Sequence, residues 1–179
     1  MEMIKESDLK ILYSEDQIQA QIKDLAKKLN DKYSDNELYL VCVLKGSVMF
    51  MADLSKYLKI PVRMEFIRLS SYGSGFTSTG RVSAVDIALP DLNDKNVLII
   101  EDIIDTGHTA RFLMDFINHN FKPKTLKFCS LLDKKCKREV DIDADYFCFE
   151  VDNKFLVGYG LDYDGYYRNI PYIGYVEGV

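Results

Sequence analysis

The sequence has few of the residues that build metal and disulfide sites. It contains four cysteines and two histidines among 179 residues. The cysteines lack Cys-x-x-Cys spacing, and three lie among apolar, strand-like residues, so we expect reduced core thiols rather than zinc ligands or disulfides. His108 and His119 do not form a His-Glu-x-x-His frame, and we expect no histidine metal site.

Long apolar runs and concentrated basic charge are also missing. The longest apolar run, Leu38–Leu44, is far too short to cross a bilayer, and Met1 opens no basic-then-apolar signal. The formal net charge is −5 and the basic residues are dispersed, which argues against nucleic acid as a partner. The densest basic cluster, residues 134–138, is short and typical of a solvated loop, although one of its members can still be functional. We therefore expect a cytoplasmic protein with neither a membrane nor a nucleic-acid partner.

The common glycine-rich nucleotide motifs are incomplete. Gly73 and Gly75 do not complete a Gly-x-Gly-x-x-Gly, because Ser78 stands at the third position, and no Walker-type motif occurs. Residues 70–81 are rich in glycine, serine and threonine and poor in apolar side chains, which predicts a mobile loop.

The most informative segment that is present runs from Val97 to Thr109. Residues 97–100 are apolar, as in a strand buried on both faces of a parallel sheet, and the run stops at Glu101 and Asp102. A turn then leads into an amphipathic helical pattern at 110–118. Ligands of open α/β sheets bind beyond the carboxyl ends of strands, and a helix start attracts phosphate. We therefore expect a phosphate at 106–109, and sugar hydroxyls or magnesium at the two carboxylates.

The rest of the chain alternates strands and helices, as an α/β domain does. Ser14 and Gln17 form a predicted capping box, with apolar residues at helical spacing up to Leu29. No repeat or linker divides the chain, so we expect one domain over residues 1–179. Further elements are expected as a helix at 48–58 and, in one sheet with the strand at 97–100, strands at 38–44, 62–66, 125–131, 146–149 and 155–157.

The segment 97–109 resembles the signature by which phosphoribosyltransferases bind phosphoribosyl pyrophosphate (PRPP). Its order Glu-Asp-Ile-Ile-Asp-Thr-Gly is similar to the hypoxanthine-guanine branch of that family, and other short motifs of the chain resemble the bacterial type. Further pieces stand in the family's order: 44–47 resembles the first pyrophosphate loop, 70–73 the flexible lid, 131–134 the purine loop, and 155–163 with Arg168 the C-terminal base and pyrophosphate site.

The resemblance implies the type I phosphoribosyltransferase fold, a mostly parallel central sheet flanked by helices. A small hood formed by the N- and C-terminal segments and a flexible loop at about 70–83, with Ser71 and Tyr72, would complete it. The implied reaction is Mg2+-dependent transfer of 5-phosphoribosyl from PRPP to hypoxanthine or guanine, in a homodimer or homotetramer. Xanthine remains open as the base, whereas the acidic order at 101–105 and Lys134 argue against adenine. An RNA-binding regulator would need a broad basic face, which the sequence does not show.

The resemblance also assigns roles around the sugar and phosphates. Glu101 and Asp102 would meet the ribose hydroxyls and magnesium together, because the strand is expected to end there. Asp162 would be a second magnesium ligand. Lys45, Gly46 and Arg168 would bind the pyrophosphate of PRPP, and the family often has a non-proline cis bond before the lysine. The 5-phosphate would be bound by Thr106, Gly107, His108 and Thr109.

At the purine, the resemblance implies that Asp105 is the general base at N7 and also contacts PRPP. The alternative for Asp105 is a helix N-cap. Lys134 would donate to the exocyclic 6-oxygen, Phe155 would stack on the base and the Leu156 carbonyl would read its edge, with Asp162 nearby. Without the resemblance, Phe155 is more often a core residue. The corresponding alternatives are a solvent-facing strand end for Lys45 and a surface position for Arg168.

Overall fold

The computed structural model describes residues 8–71, 82–86 and 88–176. Its helices are α1 Glu15–Lys32, α2 Val48–Tyr57 and α3 His108–Asn120, with a short 3-10 helix at Lys135–Lys137. Its strands are β1 Lys10–Tyr13, β2 Leu38–Leu44, β3 Val62–Ser71, β4 Val82–Asp86, β5 Asn96–Ile104, β6 Thr125–Asp133, β7 Tyr146–Glu150, β8 Leu156–Val157 and β9 Ile173–Tyr175. The helices and strands predicted from periodicity are confirmed, with ends that shift by a few residues.

Six strands form the main sheet, in the order β4-β3-β2-β5-β6-β7. All neighbouring pairs are parallel except the antiparallel edge pair of β3 and β4. Alternate residues of β5 enter different cores: Leu98 and Ile100 pack with α1 and α2, whereas Val97 and Ile99 pack with α3. Because helices cover both faces, residues 97–100 of β5 are all apolar, and the carboxyl ends of the parallel strands lie together at one end of the sheet.

A separate three-stranded sheet has the order β1-β9-β8. The expectation that the strand at 155–157 completes the main sheet is therefore wrong, since Leu156 pairs with Tyr175 of β9. A two-residue strand carries too short a pattern to reveal its partner. The sheet joins the N- and C-terminal segments, so the predicted hood is confirmed.

Two strands run further than the sequence pattern indicates. β5 extends two residues past Asp102 because Ile103 and Ile104 continue the pairing with β6, so the expected strand end at Glu101 and Asp102 is wrong. β3 continues through Ser71, and β4 begins at Val82. The two ends of the predicted loop at 70–83 are thus strand, while residues 72–81, including Tyr72, lie outside the described residues.

Local signals explain the two helix starts that matter most. In α1, the Gln17 amide donates to Ser14 Oγ (3.3 Å) and the Ser14 amide donates to Gln17 Oε1 (2.9 Å), which confirms the capping box. Such a cap contributes about 1 kcal/mol. The N-cap of α3 is Gly107, whose φ of 89° is a left-handed value that glycine adopts without strain.

The four cysteines are unpaired, with Cys42 and Cys129 buried in β2 and β6. Within the described ranges, no helix combines the length and apolarity needed to cross a membrane.

Candidate active site

The open edge of the main sheet holds a cleft of about 230 Å³. It lies where the carboxyl ends of β2 and β5 meet the segment that follows β8. The structure brings together here the predicted residues Lys45, Gly46, Glu101, Asp102, Thr109, Asp162 and Arg168.

Glu101 and Asp102 give the cleft two carboxylates with unusual titration. Burial, reinforced by the charge of Asp102, raises the pKa of Glu101 well above its ordinary range. Burial also raises the pKa of Asp102 to about 6, although hydrogen bonds from backbone amides, including that of Ile103, and the charge of Arg168 oppose this rise. Desolvated carboxylates gain from a bound cation or a hydroxyl donor, which stabilises their charged form. The pair is therefore suited to both partners expected from the sequence.

Two glycines with closely packed backbones form one wall of the cleft. The peptide bond between Leu44 and Lys45 is cis. A Cβ added to Gly46 would lie 1.6 Å from Asp102 Oδ2, and one added to Gly160 would lie 1.9 Å from the Gly46 carbonyl oxygen. Gly160 faces a backbone oxygen and therefore must be glycine, whereas a side chain at Gly46 would displace the Asp102 carboxylate. The side chain of Lys45 is exposed at the rim of the cleft.

Arg168 is held at the cleft by two contacts. Its Nη2 lies 2.5 Å from Asp162 Oδ1, and its Nη1 donates to the Gly160 carbonyl at 2.6 Å. The Gly165 amide donates to the second oxygen of Asp162 at 2.7 Å. The guanidinium is thus part of the cleft wall rather than a free surface group, and both oxygens of Asp162 have protein partners.

A second cavity, of about 80 Å³, lies at the start of α3. Its lining includes Glu101, Thr106, Gly107 and Thr109, so it combines hydroxyls with the free amides of a helix N-terminus. This arrangement suits a phosphate group. The side chain of His108 is used elsewhere, since its Nε2 lies 2.9 Å from Glu139 Oε2.

Asp105 lines this cavity, and Lys134 lies next to Asp105. Lys134 Nζ is 4.0 Å from Asp105 Oδ2 and donates to the Lys154 carbonyl at 3.0 Å. The Lys134 side chain is 10% exposed, whereas that of Asp105 is 49% exposed and available to a ligand. Because Gly107 is the N-cap of α3, the alternative of Asp105 as the cap is wrong.

The other predicted purine residues follow Lys154 in the chain. Phe155 is half-buried and meets Tyr163 edge to face, with ring centroids 5.5 Å apart. Leu156 is buried in β8. The Lys134–Lys154 hydrogen bond therefore ties the end of β6 to the segment that carries Phe155.

Asp133 and Arg138 are two site residues that the sequence reasoning missed. The Arg138 guanidinium bonds the Asp133 carboxylate, and its Nη1 donates to the Asp105 carbonyl at 2.7 Å. The Asp133 side chain is 1% exposed and that of Arg138 is 13% exposed, so the expectation of a solvated loop at 134–138 is wrong for Arg138 and Lys134. The sequence did offer one signal for this pair, because Asp133 is a charged residue at the end of an apolar strand and stands directly before the basic cluster at 134–138.

Comparisons with known proteins agree on one family. The protein-family model described as a phosphoribosyl transferase domain matches residues 8–164 of this chain. The hypoxanthine-guanine phosphoribosyltransferase of Streptococcus thermophilus is 42% identical over 175 residues, which are 98% of this chain and 97% of that protein. A solved hypoxanthine-guanine phosphoribosyltransferase from Bacillus anthracis has a TM-score of 0.88 at 42% identity, covering 93% of this chain and 98% of that one. A hypoxanthine phosphoribosyltransferase from Staphylococcus aureus has a TM-score of 0.91 at 39% identity, covering 99% of this chain and 96% of that one.

Proposed function

The chain belongs to the phosphoribosyltransferase family, and we propose that its cleft binds PRPP while Asp105 and Lys134 bind the purine. It is an enzyme of purine salvage that transfers 5-phosphoribosyl from PRPP to hypoxanthine or guanine and releases pyrophosphate. The observation that carries the assignment of the site is the position of Asp105, which lines a small cavity at a helix N-terminus and whose Oδ2 lies 4.0 Å from Lys134 Nζ.

Three parts of PRPP are held separately: the 5-phosphate, the ribose and the pyrophosphate. The 5-phosphate occupies the cavity at Thr106–Thr109, where backbone amides and two hydroxyls donate to it. Glu101 and Asp102 accept from the ribose hydroxyls. Lys45, the Gly46 amide and Arg168 bind the pyrophosphate at the other side of the cleft.

The purine is recognised by hydrogen-bond donors and acceptors that match particular atoms of the base. Lys134 donates to the exocyclic 6-oxygen, a contact that the 6-amino group of adenine cannot accept. Asp105 takes the proton of N7 as the glycosidic bond forms, which requires hydrogen-bond reach rather than an unusual pKa. Phe155 stacks on the base and the Leu156 carbonyl accepts from its edge.

The carboxylates at the cleft fit a magnesium ion that arrives with the substrate. Magnesium prefers oxygen ligands and is often held by one or two carboxylates together with substrate phosphates. Among the residues that the structure describes, no group of three side chains is placed to hold a metal alone. Glu101 and Asp102 would hold the ion. Asp162 would become a further ligand by giving up its ion pair with Arg168. When bound, the ion neutralises the negative charge of the leaving pyrophosphate.

The remaining assignments complete the proposal. The chain acts as one domain in the cytoplasm, as a homodimer or homotetramer, with small molecules as its substrates. The match of the family model to residues 8–164 supports the single domain.

Turnover of the four purines hypoxanthine, guanine, xanthine and adenine with PRPP tests this function. We expect nucleotide from hypoxanthine or guanine, little from adenine, and loss of turnover in excess chelator. A preference for adenine would contradict the role of Lys134, and full turnover in chelator would contradict the role of magnesium.

A further inference from the structure

Three consecutive backbone carbonyls, those of residues 104–106 in the turn that carries Asp105, accept hydrogen bonds from the segment after β6. The Lys134 amide donates to the Ile104 carbonyl at 2.9 Å, and the Glu139 amide donates to the Thr106 carbonyl at 2.9 Å. Between them, the Asp105 carbonyl accepts from Arg138 Nη1 at 2.7 Å. The bond that holds Asp105 itself is therefore made by a side chain.

The strand register explains why this side chain matters. Ile104, the last residue of β5, pairs with Asp133, the last residue of β6. Asp105 and Lys134 are the next residues on each strand, where the pairing has ended. Arg138 links the ends of the two strands by bonding the Asp105 carbonyl with one nitrogen and the Asp133 carboxylate with the other.

The bridge is an unusual choice if its purpose is stability alone. Buried ion pairs are weak contributors to stability, because the desolvation of both charges offsets their attraction. Here Asp133 Oδ2 and Arg138 Nε are also buried without a hydrogen-bond partner among the described residues. Such a pair is better explained by the geometry that it imposes on its neighbours.

We propose that Asp133 and Arg138 are positioning residues that fix the distance between the general base Asp105 and the purine anchor Lys134. The inference rests on the proposed function, because it takes its two ends from that assignment. Arginine is required because its planar fork presents two donors in fixed directions, whereas the single nitrogen of lysine cannot span the carbonyl and the carboxylate in the same way.

The test compares Arg138→Lys with the matched control Arg111→Lys. The Arg111 side chain of α3 also donates to a backbone carbonyl, that of Asp141 on the same connecting segment, and Asp141 is not one of the proposed site residues. We expect Arg138→Lys to lower kcat with hypoxanthine about 10- to 100-fold, since displacements of about 1 Å can cost that much. The KM for PRPP should stay within about twofold, and Arg111→Lys should keep turnover within about twofold.

A double-mutant cycle with Asp105→Asn separates positioning from general damage. If Arg138 acts through Asp105, its replacement costs little further activity once the base is gone, whereas independent effects multiply. If Arg138→Lys does not fold, as judged by thermal unfolding, the cycle is run with Asp133→Asn and the same result is expected. Multiplying losses, wild-type kcat in Arg138→Lys, or an equal loss in Arg111→Lys would overturn the positioning role. A wild-type enzyme inactive with all four purines would instead overturn the proposed function, and this inference with it.

Discussion

The carboxylate of Asp102 lies directly over the Cα of Gly46. A side-chain carbon at Gly46 would stand 1.6 Å from Asp102 Oδ2, far inside any allowed contact, so either the Asp102 carboxylate or the backbone at Gly46 would have to move. This contact joins the loop after β2 to the acidic end of β5, so the two halves of the cleft are positioned by each other.

Replacing Gly46 by alanine should therefore damage the donor site. The added methyl must displace either the Asp102 carboxylate or the loop that carries Lys45, and overpacking of this kind typically costs 1–3 kcal/mol. We expect Gly46→Ala to lower kcat/KM for PRPP by about 100-fold or more and to lower Tm by several degrees, measured by steady-state kinetics and calorimetry. Wild-type values of both would show that the wall of the cleft adapts more freely than its packing indicates.

The sequence predicted which elements surround the site better than where those elements end. The apolar run at 97–100, followed by acids and a helical pattern, was enough to predict β5 and α3, because burial on both faces of a sheet leaves a clear signal. It could not show that β5 continues through Ile104, since Ile103 and Ile104 after two acids fit a turn equally well.

Residues that act through long-range contacts were the ones missed. Asp133 and Arg138 become neighbours of Asp105 only when β6 is registered beside β5, and register depends on pairing between distant segments. For the same reason the partner of β8 was misassigned. A short strand has no periodicity from which the second sheet could be inferred.

We expect Asp53 to make the free energy of unfolding depend on pH in the acidic range. It accepts from Tyr159 and from Gln19, each at 2.6 Å, and bonds Lys56. Burial raises its pKa, but the hydrogen bonds from Lys56, Tyr159 and Gln19 lower it by more, and the net pKa is below the ordinary value. An acid with a lower pKa in the folded state stabilises the fold above its unfolded pKa of about 4, and this stabilisation is lost as pH falls through the folded value.

We therefore expect Asp53→Asn to lower the free energy of unfolding at pH 7 by about 1–2 kcal/mol. The difference from wild type should shrink as the pH falls below about 4. Urea unfolding between pH 3 and pH 7 measures it, with Asp24→Asn, an exposed acid on α1, as the control. A difference that is constant over this range would mean that the network contributes through packing rather than through the charge of Asp53.

Lys134→Met should remove purine recognition while leaving the donor site intact. Methionine keeps the length and apolar stem of the buried lysine but cannot donate to the 6-oxygen or to the Lys154 carbonyl. Sites built around such a hydrogen bond lose up to about 10⁴-fold in kcat/KM when it is absent. We expect a loss of about 100- to 10⁴-fold with hypoxanthine and a KM for PRPP within about twofold of wild type.

The neighbouring Lys135 provides the control for that substitution. Its side chain is 46% exposed and pairs with Glu150 at the surface, so Lys135→Met should leave turnover nearly unchanged. If both variants lose activity equally, the positive charge of the segment matters rather than the position of the Lys134 nitrogen.

The replacement of Asp105 tests the general base most directly. Asp105→Asn preserves size but removes the proton acceptor, so turnover should fall by about 10²–10⁴-fold while binding of PRPP stays near normal. Because the side chain is 49% exposed and α3 is capped by Gly107, neither Asp105→Asn nor Asp105→Ala should change Tm by more than a degree or two. Asp115→Asn, at an exposed position of α3, is the matched control and should keep full turnover. An asparagine variant with near wild-type kcat would rule out proton transfer to Asp105, and a large fall in Tm for the alanine variant would show that its carboxylate supports the turn instead.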